Sequence, residues 1–413
     1  MKVLLIHQYA GNKGDRAVLF AICRLLLNSV QNISITVSTS DRTLWEGSSL
    51  STNNNITFIP SAWDYCDVPT NKKLYFSILS KIKKYTFTIM RELCLRRNLN
   101  VAKYFANPYF LKAANESDRI ISVGGHHFTT LLSRDLVSSI NFDSIVLYNI
   151  RKPMICFSQS MGDFEFYNIR NKTITERLLN NTKGIYLRDS ASEEYLLKIG
   201  VTNKQIINKT YESVLSLCDT LPSRQDFNRQ KKVGISIYIT HYLGGNKNGL
   251  EEYICTFVTF CNYLTENGYD VIFIPMELKG TPPDDRPYIQ LILDQVKNRE
   301  KCLILDQDLE SDKHIETVSQ CNFFIGHKTH SVILALASAT PLIAISYHQK
   351  TADFMTQFDL SQYCVSDASL NANVLMNLFR SLEENQESIH NKINSKLDYF
   401  VSKIKADVKN IMQ

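Results

Sequence analysis

Two short segments concentrate the side chains of this 413-residue chain that are best suited to hold an anion and move a proton: His327-Lys328-Thr329-His330-Ser331 and Tyr347-His348-Gln349-Lys350. Between Glu316 and Asp353 there is no carboxylate, while His327, Lys328, His330, His348 and Lys350 all fall inside that window. Cations beside helix N-termini, whose unpaired N–H groups also attract negative charge, suit a phosphate or a carboxylate. A divalent metal would need oxygen ligands that the window lacks, and the histidine spacing matches no standard zinc pattern, so no metal is expected. Each segment follows an apolar run that reads as a strand. Ends of parallel strands share one rim, where ligands bind, so His330 and Lys350 should converge there. The plainer alternative is a solvated loop lined by the same residues.

Arg188, in Tyr186-Leu187-Arg188-Asp189-Ser190, stands at the end of another predicted strand, with Ser190 placed to cap the helix that follows. Its planar fork of donors fits a carboxylate or phosphate, and an ion pair with Asp189 or another acid would use it equally well. Three small-residue loops occupy strand ends of the same half: Gly11-Asn12-Lys13-Gly14-Asp15, Gly124-Gly125-His126-His127 and Ser158-Gln159-Ser160-Met161-Gly162. The first lacks the Lys-Ser/Thr ending of a Walker loop and is not GxGxxG, so neither a nucleoside triphosphate nor a dinucleotide is indicated. Singly each can be a tight turn; together they describe the rim of a cleft.

The elements that must position these loops alternate. Strands are predicted at Val3–Ile6, Ile33–Val37, Ile56–Ile59, Arg119–Val123, Met154–Phe157 and Gly184–Leu187, and a second series at Val233–Ile237, Asp270–Ile274, Cys302–Leu305, Asn322–Ile325 and Leu342–Ile345. Helical periodicity separates many of them, at about 249–266, 286–298, 311–320 and 330–339 in the second series. Strand–helix alternation implies parallel sheets covered on both faces. The chain also exceeds the roughly 250–300 residues at which one core stops growing. The expected organisation is an N-terminal α/β domain, 1–221, with a basic helical insertion at about 65–115, a C-terminal α/β domain, 222–370, and a helical segment, 371–413.

Composition narrows the class. Hydrophobic residues make up 44% and charged residues 21%, an ordinary globular balance, and a formal net charge of +5 is too mild for a nucleic-acid binder. The ten cysteines are scattered without a CxxC pair and read as reduced core residues of a cytoplasmic protein. The opening Met1-Lys2-Val3-Leu4-Leu5-Ile6-His7 is too short an apolar run for a signal peptide, and no stretch of about 18 apolar residues is present to span a membrane. One segment departs from the average. Lys72, Lys73, Lys81, Lys83, Lys84, Arg91, Arg96, Arg97 and Lys103 stand against the single acid Glu92, interleaved with Leu, Ile, Phe and Tyr. That pattern suits either a solvated helical insertion or a peripheral contact with an anionic membrane surface.

In order along the chain, Gly11-Asn12-Lys13-Gly14-Asp15-Arg16-Ala17, Gly124-Gly125, Ser158-Gln159-Ser160-Met161-Gly162, Arg188-Asp189-Ser190-Ala191-Ser192, Lys328-Thr329-His330 and Ser346-Tyr347-His348-Gln349-Lys350 resemble the motifs of the polysaccharide pyruvyl transferase family. The His330–Ser338 run followed by Pro341–Tyr347 and Lys350 is the most specific part of the likeness. Two positions depart from the family pattern. Lys328 stands where arginine is usual, keeping charge but losing the bidentate fork, and Arg16 stands where an acid is common.

The resemblance implies two Rossmann-like domains facing a cleft, GT-B-like, and transfer of a pyruvyl group from phosphoenolpyruvate to a sugar as a ketal, with no cofactor. It also implies functional roles for Arg188, His330 and Lys350. Such a reaction needs a proton donor and an anion clamp. The expected roles are His330 as general acid, Arg188, Lys328, Thr329 and Lys350 with His330 as donor-binding residues, and Asn12, Asp15, Gly125, His126 and Ser160 as acceptor-binding residues. The acceptor would be a sugar or a lipid-linked oligosaccharide at the inner face of the membrane. A nucleotide-sugar glycosyltransferase, which shares the architecture, and a non-catalytic sugar-binding or assembly subunit remain the alternatives.

Overall fold

The computed structural model describes residues 1–8, 13–40, 42–64, 101–130, 141–221, 231–239, 247–278, 284–347 and 349–413, with isolated positions between 82 and 99. Most of the basic segment 72–103, Asn12 and His348 lie outside the described residues. The chain forms two compact units, one made of Met1–Ala10, Val18–Glu212 and Ile404–Gln413, the other of Gly11–Ala17 and Ser213–Lys403. The passage between them falls after Glu212, ahead of the break expected at 221/222. The short helical segment Ser213–Thr220 packs on the helix Thr329–Ala337 and so belongs with the second unit. The first turn of the helix Lys13–Ser29 likewise groups with the second unit.

The first unit is built on a parallel sheet. Its strands are β1 (Lys2–Ile6), β2 (Ser34–Ser38), β3 (Ile56–Ile59), β4 (Arg119–Ser122), β5 (Gly125–Phe128), β6 (Ile155–Met161), β7 (Gly184–Leu187) and β8 (Ile207–Lys209). They run in the order β3-β2-β1-β4-β6-β7-β8, with β5 paired to β6 off that path. The order reverses between β1 and β4, the kind of switch point at whose carboxyl end open α/β sheets bind ligands. Leu4, Ile6, Cys156 and Ile185 are fully buried in the sheet, and Phe110, Phe142 and Leu196 cover it.

The second unit carries β9 (Lys232–Ser236), β10 (Asp270–Phe273), β11 (Cys302–Ile304), β12 (Phe323–Gly326), β13 (Leu342–Ser346) and β14 (Cys364–Ser366), all parallel, in the order β11-β10-β9-β12-β13-β14. The central strands are apolar without alternation because helices cover both faces. Every residue of β12 is buried, as is the helix Thr329–Ala337 from Ser331 onward. The tail forms the helices Ala372–Glu384 and Gln386–Met412, and Ile404–Gln413 groups with the first unit. Among the described residues no helix is long and apolar enough to cross a membrane.

Candidate active site

The carboxyl rim of the second sheet gathers four of the five expected donor-binding residues, Lys328, Thr329, His330 and Lys350. His330 and Lys350 are each the second residue of a helix, Thr329–Ala337 and Gln349–Gln357, that follows the neighbouring strands β12 and β13. The two helix starts are tied directly, Thr329 Oγ1 lying 2.8 Å from Thr351 Oγ1. Thr351 is fully buried, which fixes that link against the core. The glycine loop also reaches His330: a Cβ added at Gly14 would sit 2.1 Å from both Cγ and Nδ1 of the ring. Only glycine lets the backbone lie this close to the imidazole. Two motifs more than three hundred residues apart thus meet, one supplying the imidazole and the other its wall.

Lys328 and His327 behave differently from the sequence expectation of an unopposed cationic window. Lys328 is buried, its Nζ 3.2 Å from Glu277 Oε1 and 3.4 Å from both carboxylate oxygens of Asp285. It also lies 5.3 Å from the centroid of the Tyr238 ring. The window lacks acids in sequence, but the loop after β10 brings two of them to it. Burial pushes both Glu277 and Asp285 up, and Lys328 pulls them back down. His327 is fully buried, with Nδ1 2.8 Å from the Tyr253 hydroxyl and Nε2 3.4 Å from Asp367. Its ring packs edge-on against Tyr238 and Tyr347, whose own rings meet at 4.4 Å with a tilt of 35°. His327 therefore organises the aromatic floor of this rim.

Further along the same rim, Asp308 binds Arg16 through two hydrogen bonds, 2.8 and 3.1 Å, and lies 3.9 Å from Lys13 Nζ. Burial lowers the Lys13 ammonium to about 8, with Asp308 opposing the shift. His314 is fully enclosed, and burial, reinforced by Lys13 and Arg16, holds it well below its ordinary value and so neutral. Asp15 groups with this unit, where its charge acts on Glu277, whereas the expected acceptor residues Gly125, His126 and Ser160 belong to the first unit.

On the first unit's carboxyl rim, Arg188 follows β7 and is 5% exposed. Its Nη1 pairs with the fully buried carboxylate of Glu212, and its Nε donates to Ser160 Oγ at 2.8 Å. The arginine fork expected to hold a donor anion is thus engaged by an internal acid, one that is not Asp189. Asp189 instead caps the following helix, accepting from Ser192 N at 2.9 Å and Ser192 Oγ at 2.7 Å, while Ser190 makes no side-chain cap bond. Ser160 is brought to the rim where β6 is bulged at Ser158, whose φ is +56°. Gly125 has a φ of +137° and His126 bonds through Nε2 to the Gly162 carbonyl. His7, after β1, links Ser122 Oγ at 2.8 Å and Ser144 Oγ at 3.1 Å, and Gln159 Nε2 joins Ser122 Oγ at 3.0 Å.

Glu212, Glu277, Asp285 and His314 carry no motif signal in the sequence, and Lys13 and Gln159 stand there only as members of the small-residue loops. Glu277 was the most accessible of them, since it follows β10 as His327 follows β12, and strand ends were already marked as the binding rim. Among the described residues no group of three or more His, Cys, Asp or Glu side chains is arranged to hold a metal ion.

Parallel sheets ordered this way, with a helical tail, define a GT-B-like α/β fold. The likeness to solved structures is one of fold alone: UDP-GlcNAc 2-epimerase from Neisseria meningitidis bound to UDP-GlcNAc is 12% identical with a TM-score of 0.59, covering 100% of this chain and 99% of that one. A ugt transferase from Siraitia grosvenorii in complex with UDP is also 12% identical, with a TM-score of 0.53 over 100% of this chain and 99% of that one. Residues 12–349 match the family Polysaccharide pyruvyl transferase, and the chain belongs to that family of transferases. Amylovoran biosynthesis protein AmsJ of Erwinia amylovora is 24% identical over 411 residues, covering 95% of this chain and 94% of that protein.

Proposed function

We propose that the chain transfers the pyruvyl group of phosphoenolpyruvate to two hydroxyls of one sugar in a polysaccharide or its lipid-linked precursor, forming a cyclic ketal, with His330 as general acid. The observation that carries this reading is the meeting of Gly14, His330 and the Thr329–Thr351 pair at the starts of two helices, next to Lys350. Family membership supplies the reaction class.

The chemistry asked of these residues is limited. His330 gives a proton to the methylene carbon, which becomes the methyl group, and the first sugar hydroxyl adds to the neighbouring carbon. The bond from that carbon to the phosphate oxygen then breaks and phosphate departs. The second hydroxyl closes the ketal; of the two hydroxyl protons, one restores His330 and the other leaves on the phosphate. Lys350 and the helix N-termini stabilise the phosphate and carboxylate charge, the preorganised electrostatics that dominate most catalysis. Thr329, within hydrogen-bond reach of Thr351, orients this edge, and Lys328, held in place by Glu277 and Asp285, belongs to the donor-binding rim.

Gly125, His126 and Ser160 of the first unit serve the acceptor, and Arg188 acts there by fixing Ser160. The basic segment 72–103 suits docking at the inner face of the membrane, where a lipid-linked acceptor would lie; binding to anionic vesicles at low salt, lost at high salt, tests it.

The decisive experiment pairs ligand-induced thermal stabilisation with turnover. Selective stabilisation by phosphoenolpyruvate over UDP-sugars, with turnover in His330→Ala falling by about 10²–10⁴-fold while donor binding persists, is the expected result. Unchanged turnover in that variant removes the acid assignment, and stabilisation by a UDP-sugar alone replaces the pyruvyl donor with a nucleotide-sugar.

A further inference from the structure

Lys13 lies in the glycine loop and begins the 17-residue helix Lys13–Ser29. Its side chain is 3% exposed and its Nζ makes no hydrogen bond. The nearest carboxylate oxygen, Asp308 Oδ1 at 3.9 Å, is beyond hydrogen-bond reach, and that carboxylate is already held by Arg16 at two points. His314, whose pKa Lys13 and Arg16 help depress, likewise has a buried Nε2 with no partner. Glu277 Oε2, on the loop that pairs with Lys328, is a third buried atom in this condition. Buried polar atoms are almost always bonded, and a desolvated ammonium is among the most costly to leave unbonded, so this rim is built for something that brings acceptors.

We propose that Lys13 binds the phosphoryl group of the substrate, its Nζ and the Nε2–H of His314 donating to phosphate oxygens. Lysine acts on phosphate as a compact point charge, and the first turn of a helix adds N–H groups with no intrahelical acceptor. Gly14, the next residue, lies against the His330 ring, so the phosphoryl group would leave beside the acid that starts the reaction. The assignment deepens the pyruvyl-transfer reading and rests on it for the donor's identity.

The test uses Lys13→Met and, should that variant fold poorly, Lys13→Gln. Affinities for inorganic phosphate, phosphoenolpyruvate and pyruvate are measured by calorimetry, beside the melting temperature of the unliganded protein. The expected result is phosphate binding by the wild type, weakened about tenfold or more in the variants, with an unliganded melting temperature equal to or above that of the wild type. Variants that bind phosphate as tightly as the wild type overturn the proposal. So does a wild type that binds pyruvate and not phosphate, or one that binds neither. A fall in melting temperature with phosphate affinity unchanged overturns it as well, because Lys13 would then be a structural partner of Asp308. If phosphate binding depends on Lys13 but no ketal forms from phosphoenolpyruvate and any sugar tested, the Lys13 site stands and the donor reading falls.

Discussion

Arg188 and Lys13 are both cations buried at the carboxyl rim of a parallel sheet, yet they stand in opposite conditions. Arg188, in the first unit, meets the enclosed carboxylate of Glu212 and the hydroxyl of Ser160. Lys13, in the second, has no hydrogen bond at Nζ and a lowered pKa of about 8. An ion pair with its bonds made belongs to the fold's own stability, whereas a desolvated charge with its bonds unmade marks a place where stability has been given up. Such places are where ligands act. The contrast separates scaffold from site without reference to any motif, and it reverses the weight that sequence gives to the two residues.

The sharpest way to break the comparison is to remove Glu212. Glu212→Ala leaves the Arg188 guanidinium buried without its counter-charge and should cost roughly 3–5 kcal/mol of unfolding free energy in urea titration. Lys13→Met should cost nothing by the same measurement. A loss below about 1 kcal/mol for Glu212→Ala would mean that Arg188 relaxes to another acceptor and that its pairing is not what secures the rim.

A smaller effect is expected where the glycine loop touches the acid. Gly14→Ala places a methyl group 2.1 Å from ring atoms of His330, so the imidazole must move. The ring is the far end of a side chain and can rotate away, so stability should change little. Displacement of a proton donor by about an ångström lowers turnover by about 10²-fold. Turnover within twofold of wild type would show that His330 works from another rotamer and that the contact with Gly14 is incidental.

These two positions also show how much the sequence discloses. The apolar runs of β12 and β13 announce strands buried on both faces, and the observed ends of β9, β10, β12 and β13 lie within a residue of the expected ones. The short β8 and β14 were missed because three-residue edge strands carry too little pattern, and β5 because Gly125-His126-His127-Phe128 is too polar to read as a strand. At the site, parallel order puts the turns after β12 and β13 side by side, so the neighbourhood of His330 and Lys350 was legible. The acids that reach Lys328 were not: Glu277 and Asp285 arrive from a different βα turn, and no local spacing encodes that. Nor could spacing say that the Arg188 fork would find Glu212, twenty-four residues on and in the loop after another strand.

The last effect lies in the first unit, where Asp143 is the acidic counterpart of Lys13, a carboxyl buried without a cation. Burial raises its pKa to about 7, with Asp64 adding to the shift, against bonds from Ala62 N at 2.9 Å and Ser38 Oγ at 3.2 Å. The native value lies above the ordinary 3.8, so between the two the folded state holds more protons than the unfolded one. The stability this group lends is complete below the lower value and is lost as pH rises through the upper. From about pH 5 to 6.5 the loss should be on the order of 2 kcal/mol. Asparagine keeps both bonds, accepting from Ala62 and donating to Ser38, and cannot ionise. Asp143→Asn should therefore match wild type near pH 4 and exceed it progressively toward neutrality, as read from urea midpoints across the range. Parallel pH profiles for the two proteins would show that Asp143 ionises normally in the folded state. An unpaired buried charge would then no longer mark the second rim alone as the exception, because the first would hold a stable one too.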